Sequence, residues 1–315
     1  MTAKIAFIFP GQGSQKVGMG RDWAEAFEDA RQAFDEADQA LGFGLSRLCW
    51  EGPEEELQLT ANTQPAILTC SIAIHRVIAR RQPGLVPVAM AGHSLGEYSA
   101  LVAAGALDFA TALRLVRRRG ELMQEAVPVG VGAMAALMGI DSDVIYEVAR
   151  EVAGEEVCAV ANLNSPQQTV IAGHRAAVER AIAAAKERGA RVAKLLPVSA
   201  PFHSPLMAPA RRALEPLLAA AEFQDPSVPV VTNIDAAPAA TGAAARDALE
   251  RQVDGPVRWV ESVRWMVDAA GVDTFLEVGF GKVLASLGRR IERDLTWTAM
   301  PEPKAVEEFL VELGD

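Results

Sequence analysis

The sequence has little of what redox, metal or nucleic-acid chemistry needs. Its 315 residues include three cysteines, four histidines and two tyrosines. Cys49, Cys70 and Cys158 lie far apart, without the spacing of a metal site. Their flanks, LTCSIAI and EVCAVANL, are apolar, so they are expected as reduced, buried thiols of a cytoplasmic protein. Positive charge is in the minority: 30 Lys and Arg stand against 41 Asp and Glu, a net charge of −11. That excludes a non-specific binder of phosphate backbones, so no nucleic-acid partner is expected. No apolar run is long enough to cross a bilayer, so no membrane partner is expected either. The N-terminal MTAKIAFIFPGQG has too short an apolar stretch for a signal peptide. No Walker pattern occurs. Nothing in the chain demands an oligomer, and a monomer is expected.

What is present is core-forming material, with half of the residues hydrophobic. Short apolar runs alternate with helical patterns. Lys4–Phe9 reads as a strand, Arg21–Leu41 as one helix, Asn62–Arg81 as a second, and Val86–Ala91 as the next strand. Near-continuous apolar strands between helices predict a mostly parallel sheet covered on both faces. The middle of the chain changes character. Gly132–Ile140, Ser142–Ala153, Val157–Leu163, Gln168–Ala172, Ala176–Arg188 and Arg191–Leu196 read in the order β-α-β-β-α-β, which is the ferredoxin-like arrangement. Strands follow near Val228–Ile234, Thr274–Val278 and Trp297–Met300, and the Ala-rich patch 236–245 reads as a loop. The expected architecture is α/β: a hydrolase-like core from residues 1–129 and 199–315, carrying an inserted ferredoxin-like small domain at 130–198.

Gly92-His93-Ser94-Leu95-Gly96 satisfies G-x-S-x-G, between an apolar strand and the helix-compatible EYSALVAAGAL. A sharp strand-to-helix turn leaves no room for side chains beside the nucleophile, and the helix N-terminus favours developing negative charge. Ser94 is therefore the candidate nucleophile, and the Leu95 amide a candidate oxyanion donor.

A serine needs a base. His75 falls inside a helix and reads as a packing or surface residue, and His174 opens a helix as a cap or solvated residue. His93 is adjacent to Ser94, where neighbouring side chains diverge. His203, in the proline-bounded loop PVSAPFHSP, is the favoured base. A hydrolase would add a carboxylate, and Glu277 in FLEVGFGKVL is the candidate, with a structural strand-end role as the competing reading. The loop FPGQGSQ after the first strand lacks the third glycine of a dinucleotide fingerprint, whose place is taken by Lys16. It reads better as a loop that presents backbone amides to a bound group.

FPGQGSQ, GHSLGEYSAL, VRRRGELMQ, ANLNSPQQTVIAG and PFHSPLM occur in order over essentially the whole chain. With them the sequence resembles the malonyl-CoA:acyl carrier protein transacylase family of fatty-acid synthesis, whose fold also serves as the acyltransferase domain of polyketide synthases. The resemblance implies a serine-dependent acyltransferase. Its substrate would be malonyl-CoA, its acceptor the phosphopantetheine thiol of acyl carrier protein, and it would need no cofactor and no metal. It implies Ser94 as the acylated residue, His203 as base and then acid, and the amides of Gln12 and Leu95 as the oxyanion hole. The histidine would be oriented by backbone carbonyls, one of them carried by Gln252, which frees Glu277 from a triad.

Arg119 would bind the malonyl carboxylate, since its fork suits a bidentate contact that lysine cannot match. Arg117 and Arg118 would lie on a solvated helix face. Gln64 and Asn162 would be supporting polar residues. Phe202 resembles the malonyl-selective pattern, its ring leaving little room for an α-methyl group, so Phe202→Ser is expected to raise methylmalonyl transfer relative to malonyl. Phe280 replaces a frequent proline in a turn. Arg188, Arg191, Lys194, Arg211 and Arg212 are candidates for a basic carrier-docking patch. Rival readings are a stand-alone acyltransferase loading a polyketide synthase carrier, a serine esterase or lipase, and a non-catalytic acyl-binding protein.

Overall fold

The computed structural model describes residues 3–198 and 200–314; residue 199, where the resumed core segment was placed to begin, lies outside the described residues. The strands among the described residues are β1 (Ile5–Phe9), β2 (Ala89–Gly92), β3 (Gly132–Met138), β4 (Cys158–Ser165), β5 (Gln168–His174), β6 (Val192–Leu195), β7 (Val230–Val231), β8 (Pro238–Ala239), β9 (Thr274–Glu277) and β10 (Thr296–Ala299). The helices before β3 are α1 (Arg21–Ala26), α2 (Glu28–Leu41), α3 (Leu45–Glu51), α4 (Glu54–Leu57), α5 (Thr60–Arg81), α6 (Gly96–Ala103) and α7 (Phe109–Glu125). Those after it are α8 (Ser142–Ala153), α9 (Arg175–Glu187), α10 (Ala208–Ala220), α11 (Gly242–Gln252), α12 (Trp259–Asp268), α13 (Val283–Ile291) and α14 (Pro303–Gly314).

The larger sheet has six strands in the order β10-β9-β1-β2-β7-β8. All its pairings are parallel except that of β7 with the edge strand β8. The central β1 is buried at every residue, as a strand covered on both faces must be. One face packs against α2, α5 and α7, the other against α12 and α13.

The second sheet is antiparallel, in the order β4-β5-β3-β6, the ferredoxin-like order of a β-α-β-β-α-β chain. Alternation along β3 divides its side chains between two cores. Ala133, Ala135 and Leu137 pack with α8 and α9, while Met134 and Ala136 join the core of the larger sheet. No helix among the described residues is long and apolar enough to cross a membrane.

Four expectations need correction. Arg21–Leu41 is two helices, because Phe27 turns to extended geometry (φ −134°, ψ 127°). There its ring packs on Trp23 and lies under the Arg81 guanidinium. Val86 and Val88 stay exposed outside β2, which begins at Ala89. The expected strand Val228–Ile234 pairs only over Val230–Val231, because the chain then leaves the sheet to bring Asn233 under the Ser94 turn. The Ala-rich patch 236–245 is not simply a loop: it holds β8 and the first turn of α11, which Thr241 caps by accepting from the Ala244 amide.

Candidate active site

Parallel strands deliver their carboxyl ends to one edge of a sheet, where open α/β folds place their sites. Here the segments that follow the neighbouring strands β1, β2 and β7 carry Gln12, Ser94 and Asn233 respectively. The turn at Ser94 is tight. A β-carbon at Gly92 would lie 1.9 Å from the Gly96 backbone, and one at Gly96 would lie 2.1 Å from the Phe9 carbonyl oxygen. Gly11 is equally constrained, since its β-carbon would fall 2.3 Å from the His93 carbonyl oxygen, so the Gln12 loop lies directly against the serine turn. Ser94 itself is left-handed, φ 51°, a conformation that typically costs a non-glycine residue about 1–3 kcal/mol. Its amide donates to Asn233 Oδ1 at 2.6 Å, and Asn233 Nδ2 donates to the Gly92 carbonyl at 2.7 Å.

Ser94 Oγ lies 2.6 Å from His203 Nε2. His203 is also left-handed, φ 58°, and is buried. Its Nδ1 faces two backbone carbonyls, Gln252 at 2.9 Å and Gly255 at 3.2 Å. Two acceptors there require a proton on Nδ1, which leaves Nε2 free to accept from the serine hydroxyl. Burial, then the nearby Arg119 charge, pushes the imidazole pKa down to about 3, so the ring is neutral. Gly255 is tightly packed: a β-carbon there would stand 2.8 Å from the Arg251 carbonyl oxygen and 2.4 Å from Ile234 Cδ1. No hydrogen bond joins the amides of Gln12 or Leu95 to other described residues. Both N–H groups are thus available to an oxyanion.

Arg119 lies on the buried stripe of α7 with Leu115, Val116, Leu122 and Met123. At Gly120 that helix crosses α5 so closely that a β-carbon would stand 2.7 Å from Ala61 Cα. This crossing sets Arg119 beside Gln64. Only 1% exposed, the guanidinium donates to Gln64 Oε1 and Gln252 Oε1, each at 2.8 Å, and to Ser94 Oγ at 3.3 Å. Its Nε has no partner, and no carboxylate forms an ion pair with it among the described residues. Burial lowers its pKa, against the pull of Tyr98 and Glu97. A buried cation without an anion is costly, and this one has its fork turned toward the serine.

Arg117 and Arg118 face outward and pair with Glu121. Asn162 is buried at a bulge of β4, beside the Val257 bridge that ties β4 to the loop holding Gly255. Phe202 is buried against the main core, next to His203. Glu277 forms no hydrogen bond to Ser94 or His203 among the described residues: its carboxylate accepts from the Leu284 and Ala285 amides at the start of α13, and burial raises its pKa. His93 packs on Trp259 and bonds Asn164 Oδ1 at 2.8 Å. His75 sits among Phe7 and Phe9. His174 Nδ1 accepts from the Val157 amide at 2.9 Å. Of the docking candidates, Arg188 pairs with Glu147 and Glu151, and Arg211 with Glu250 and Asp254. Arg191, Lys194 and Arg212 are exposed, with no ion pair among the described residues.

Sequence reasoning missed Asn233, Asn164 and Glu97. Asn233 belongs to no motif, and its one signal is its place just past a strand of the parallel sheet. Glu97 stands inside the quoted GHSLGEYSAL, but a carboxylate in a helix's first turn already has an explanation in the helix dipole.

The profile of the acyl transferase domain family matches residues 6–299. The malonyl CoA-acyl carrier protein transacylase of Escherichia coli K12 is 52% identical over 303 residues, covering 96% of this chain and 97% of that protein. The transacylase of the same description from Bacillus subtilis is 48% identical, covering 97% and 96%. Among solved structures, the malonyl CoA-acyl carrier protein transacylase of Coxiella burnetii superposes with a TM-score of 0.97 at 42% identity, covering 100% of this chain and 99% of that one. A malonyl-transacylase solved in complex with a type II polyketide acyl carrier protein superposes at 0.95 with 47% identity, covering 98% and 100%. With its fold, its strained serine and its family profile in agreement, the chain belongs to the acyl transferase family.

Proposed function

We propose that this protein transfers the malonyl group of malonyl-CoA to the phosphopantetheine thiol of acyl carrier protein, through a malonyl ester on Ser94. His203 Nε2 takes the Ser94 hydroxyl proton as Oγ attacks the thioester carbonyl. The resulting oxyanion is held by the amides of Gln12 and Leu95. The tetrahedral adduct collapses, the C–S bond breaks, and His203 returns its proton to the leaving coenzyme A thiolate. The carrier's thiol then repeats the sequence in reverse order, with its proton passing to His203 and back to Ser94. Acyl transfer by a serine and a neutral histidine requires neither a metal nor a redox cofactor.

The observation that carries this reading is Arg119, a buried, unpaired guanidinium 3.3 Å from Ser94 Oγ. An acyl chain ending in a carboxylate would complete its coordination together with Gln64 and Gln252. A neutral acyl group would leave it unpaired, so the pocket discriminates by charge. Phe202 fills the wall beside His203 and favours malonyl over its α-methyl homologue. Residues 130–198 form the inserted unit against which the core segments 1–129 and 199–315 shape the cleft, and the protein works as a cytoplasmic monomer.

Malonyl-CoA supplied alone tests the proposal. The expected result is a burst stoichiometric with enzyme and a malonyl adduct on Ser94 by mass spectrometry. Steady multiple-turnover release of coenzyme A without a thiol acceptor would instead support a hydrolase. We place the reaction in fatty-acid synthesis. The likeness to a transacylase bound to a polyketide carrier favours one second reading, a dedicated loader of polyketide carriers. Competition between a fatty-acid carrier and a polyketide carrier for the malonyl-enzyme separates the two.

A further inference from the structure

Glu97 is fully buried in the first turn of α6, three residues beyond the serine, and the proposed reaction gives it no task. Its Oε2 accepts from two separate elements: the Asn233 amide at 2.8 Å and Gln252 Nε2 at 2.8 Å. Its Oε1 has no partner among the described residues. Gln252 Nε2 also donates to the Ser94 carbonyl at 3.0 Å. Every group on this side of the Gln252 amide is an acceptor, so the NH₂ end must point there. The oxygen end is thereby turned the other way, where it meets the Arg119 Nη2 at 2.8 Å. Arg119 can only donate, so the reverse orientation of the amide would set two donors against each other. No direct ion pair joins Glu97 to Arg119: they feel each other's charge at a distance, and the hydrogen-bonded path between them runs through Gln252.

We propose that Glu97 is a positioning residue for acyl selectivity: by holding the NH₂ end of Gln252 it aims the Gln252 oxygen at Arg119 and fixes the guanidinium where the malonyl carboxylate binds. This rests on the reading of Arg119 as the malonyl anchor. Gln252 then serves two partners by different atoms. Its backbone carbonyl orients His203, and its side chain, set by Glu97, orients Arg119. A disturbance at Glu97 therefore reaches selectivity through the side chain, while the backbone contact to His203 is retained.

The test is Ser94 acylation by malonyl-CoA and by acetyl-CoA, compared as a ratio of kcat/KM, with thermal unfolding of each variant measured alongside. Glu97→Asp is one methylene too short to reach both donors. It is expected to lower the malonyl-to-acetyl ratio about tenfold, as loss of a charge-assisted hydrogen bond implies, with acetyl loading changed far less. Glu97→Gln keeps an acceptor oxygen at the same reach and is expected to hold the ratio within about threefold of wild type, a rescue on the hydrogen-bond argument. Gln252→Met keeps the backbone carbonyl for His203 and is expected to lower the ratio, and adding Glu97→Asp to it should lower the ratio no further.

If Glu97→Asp does not fold, Glu97→Met, which fills a similar volume without an acceptor, carries the same expectation. Equal slowing of both substrates by the Glu97 variants overturns the inference. So does an unmoved ratio, a Glu97→Gln defect as large as that of Glu97→Asp, or additive effects with Gln252→Met. A wild type that forms no malonyl-Ser94 sinks the malonyl reading itself. A wild type that loads malonyl normally, with a ratio indifferent to Glu97, sinks the positioning role alone.

Discussion

At the scale of single residues, the site is built on two side chains whose ionisation is displaced or unpaired by burial. His203 is held down to about 3, from an ordinary 6.5, by burial and by Arg119. It is therefore neutral and able to accept a proton throughout the physiological range. Its ring resonances in an NMR titration are expected to stay flat from about pH 8 to about pH 5, and a midpoint near the ordinary value would contradict the geometry. Below about pH 6.5 the unfolded chain takes up this proton and the folded one does not, so the residue's contribution becomes steadily less favourable as pH falls toward 3.

Arg119 supplies the second prediction. Replacing it with leucine removes the partner of the substrate carboxylate and should cut malonyl loading by roughly ten- to a hundredfold, the worth of a charge-assisted contact. Acetyl loading should be little affected. Equal loss for both acyl groups would mean that Arg119 supports the fold and not the choice of substrate.

Secondary-structure elements decide what these residues can reach. The crossing of α5 and α7 at Gly120 turns Arg119 inward, while Arg117 and Arg118, on the same helix, remain outside. The periodicity of α7 shows a stripe that holds position 119, but which of three consecutive arginines meets the serine depends on where α5 lies. Glu277 shows the reverse case. The sequence offers it either as a triad member or as a structural carboxylate at a strand end, and the structure uses it to hold the N-terminus of α13. Glu277→Gln weakens two charge-assisted bonds at a helix start, so it should cost about 1 kcal/mol and lower Tm by a few degrees. Its kcat/KM should stay within about twofold of wild type, since only a capping bond is touched. A large loss of rate at unchanged stability would return Glu277 to the catalytic group.

For the whole molecule, the problem is where a protein of net charge −11 offers positive charge to a partner. Arg188 and Arg211 are already paired internally, which leaves Arg191, Lys194 and Arg212 as exposed positive charge. Arg191 and Lys194 belong to the exposed edge strand β6 or its approach, on the smaller sheet. Lys194→Glu is expected to lower kcat/KM for the carrier several-fold and to leave acylation by malonyl-CoA unchanged, with the wild-type carrier rate falling as salt is added. Equal effects on both half-reactions would place Lys194 in coenzyme A binding instead.

The sequence by itself determined the α/β class, the ferredoxin-like order of the middle segment and the serine turn. These follow from local periodicity and from glycines that a tight turn requires, and both are written in consecutive residues. It also singled out Ser94 and His203, while Arg119 came from the family resemblance; His203 and Arg119 lie 109 and 25 positions from the serine, and the fold brings them to 2.6 and 3.3 Å of its hydroxyl. Only the tertiary structure decided the support beneath them. Asn233 under the serine amide, Gly255 beside the histidine, and Glu97 acting through Gln252 are joined across 139, 52 and 155 residues. Hydrogen bonds of this kind are set by where strands end and loops cross. An asparagine, a glycine or a carboxylate carries no local pattern that says which distant group it will meet.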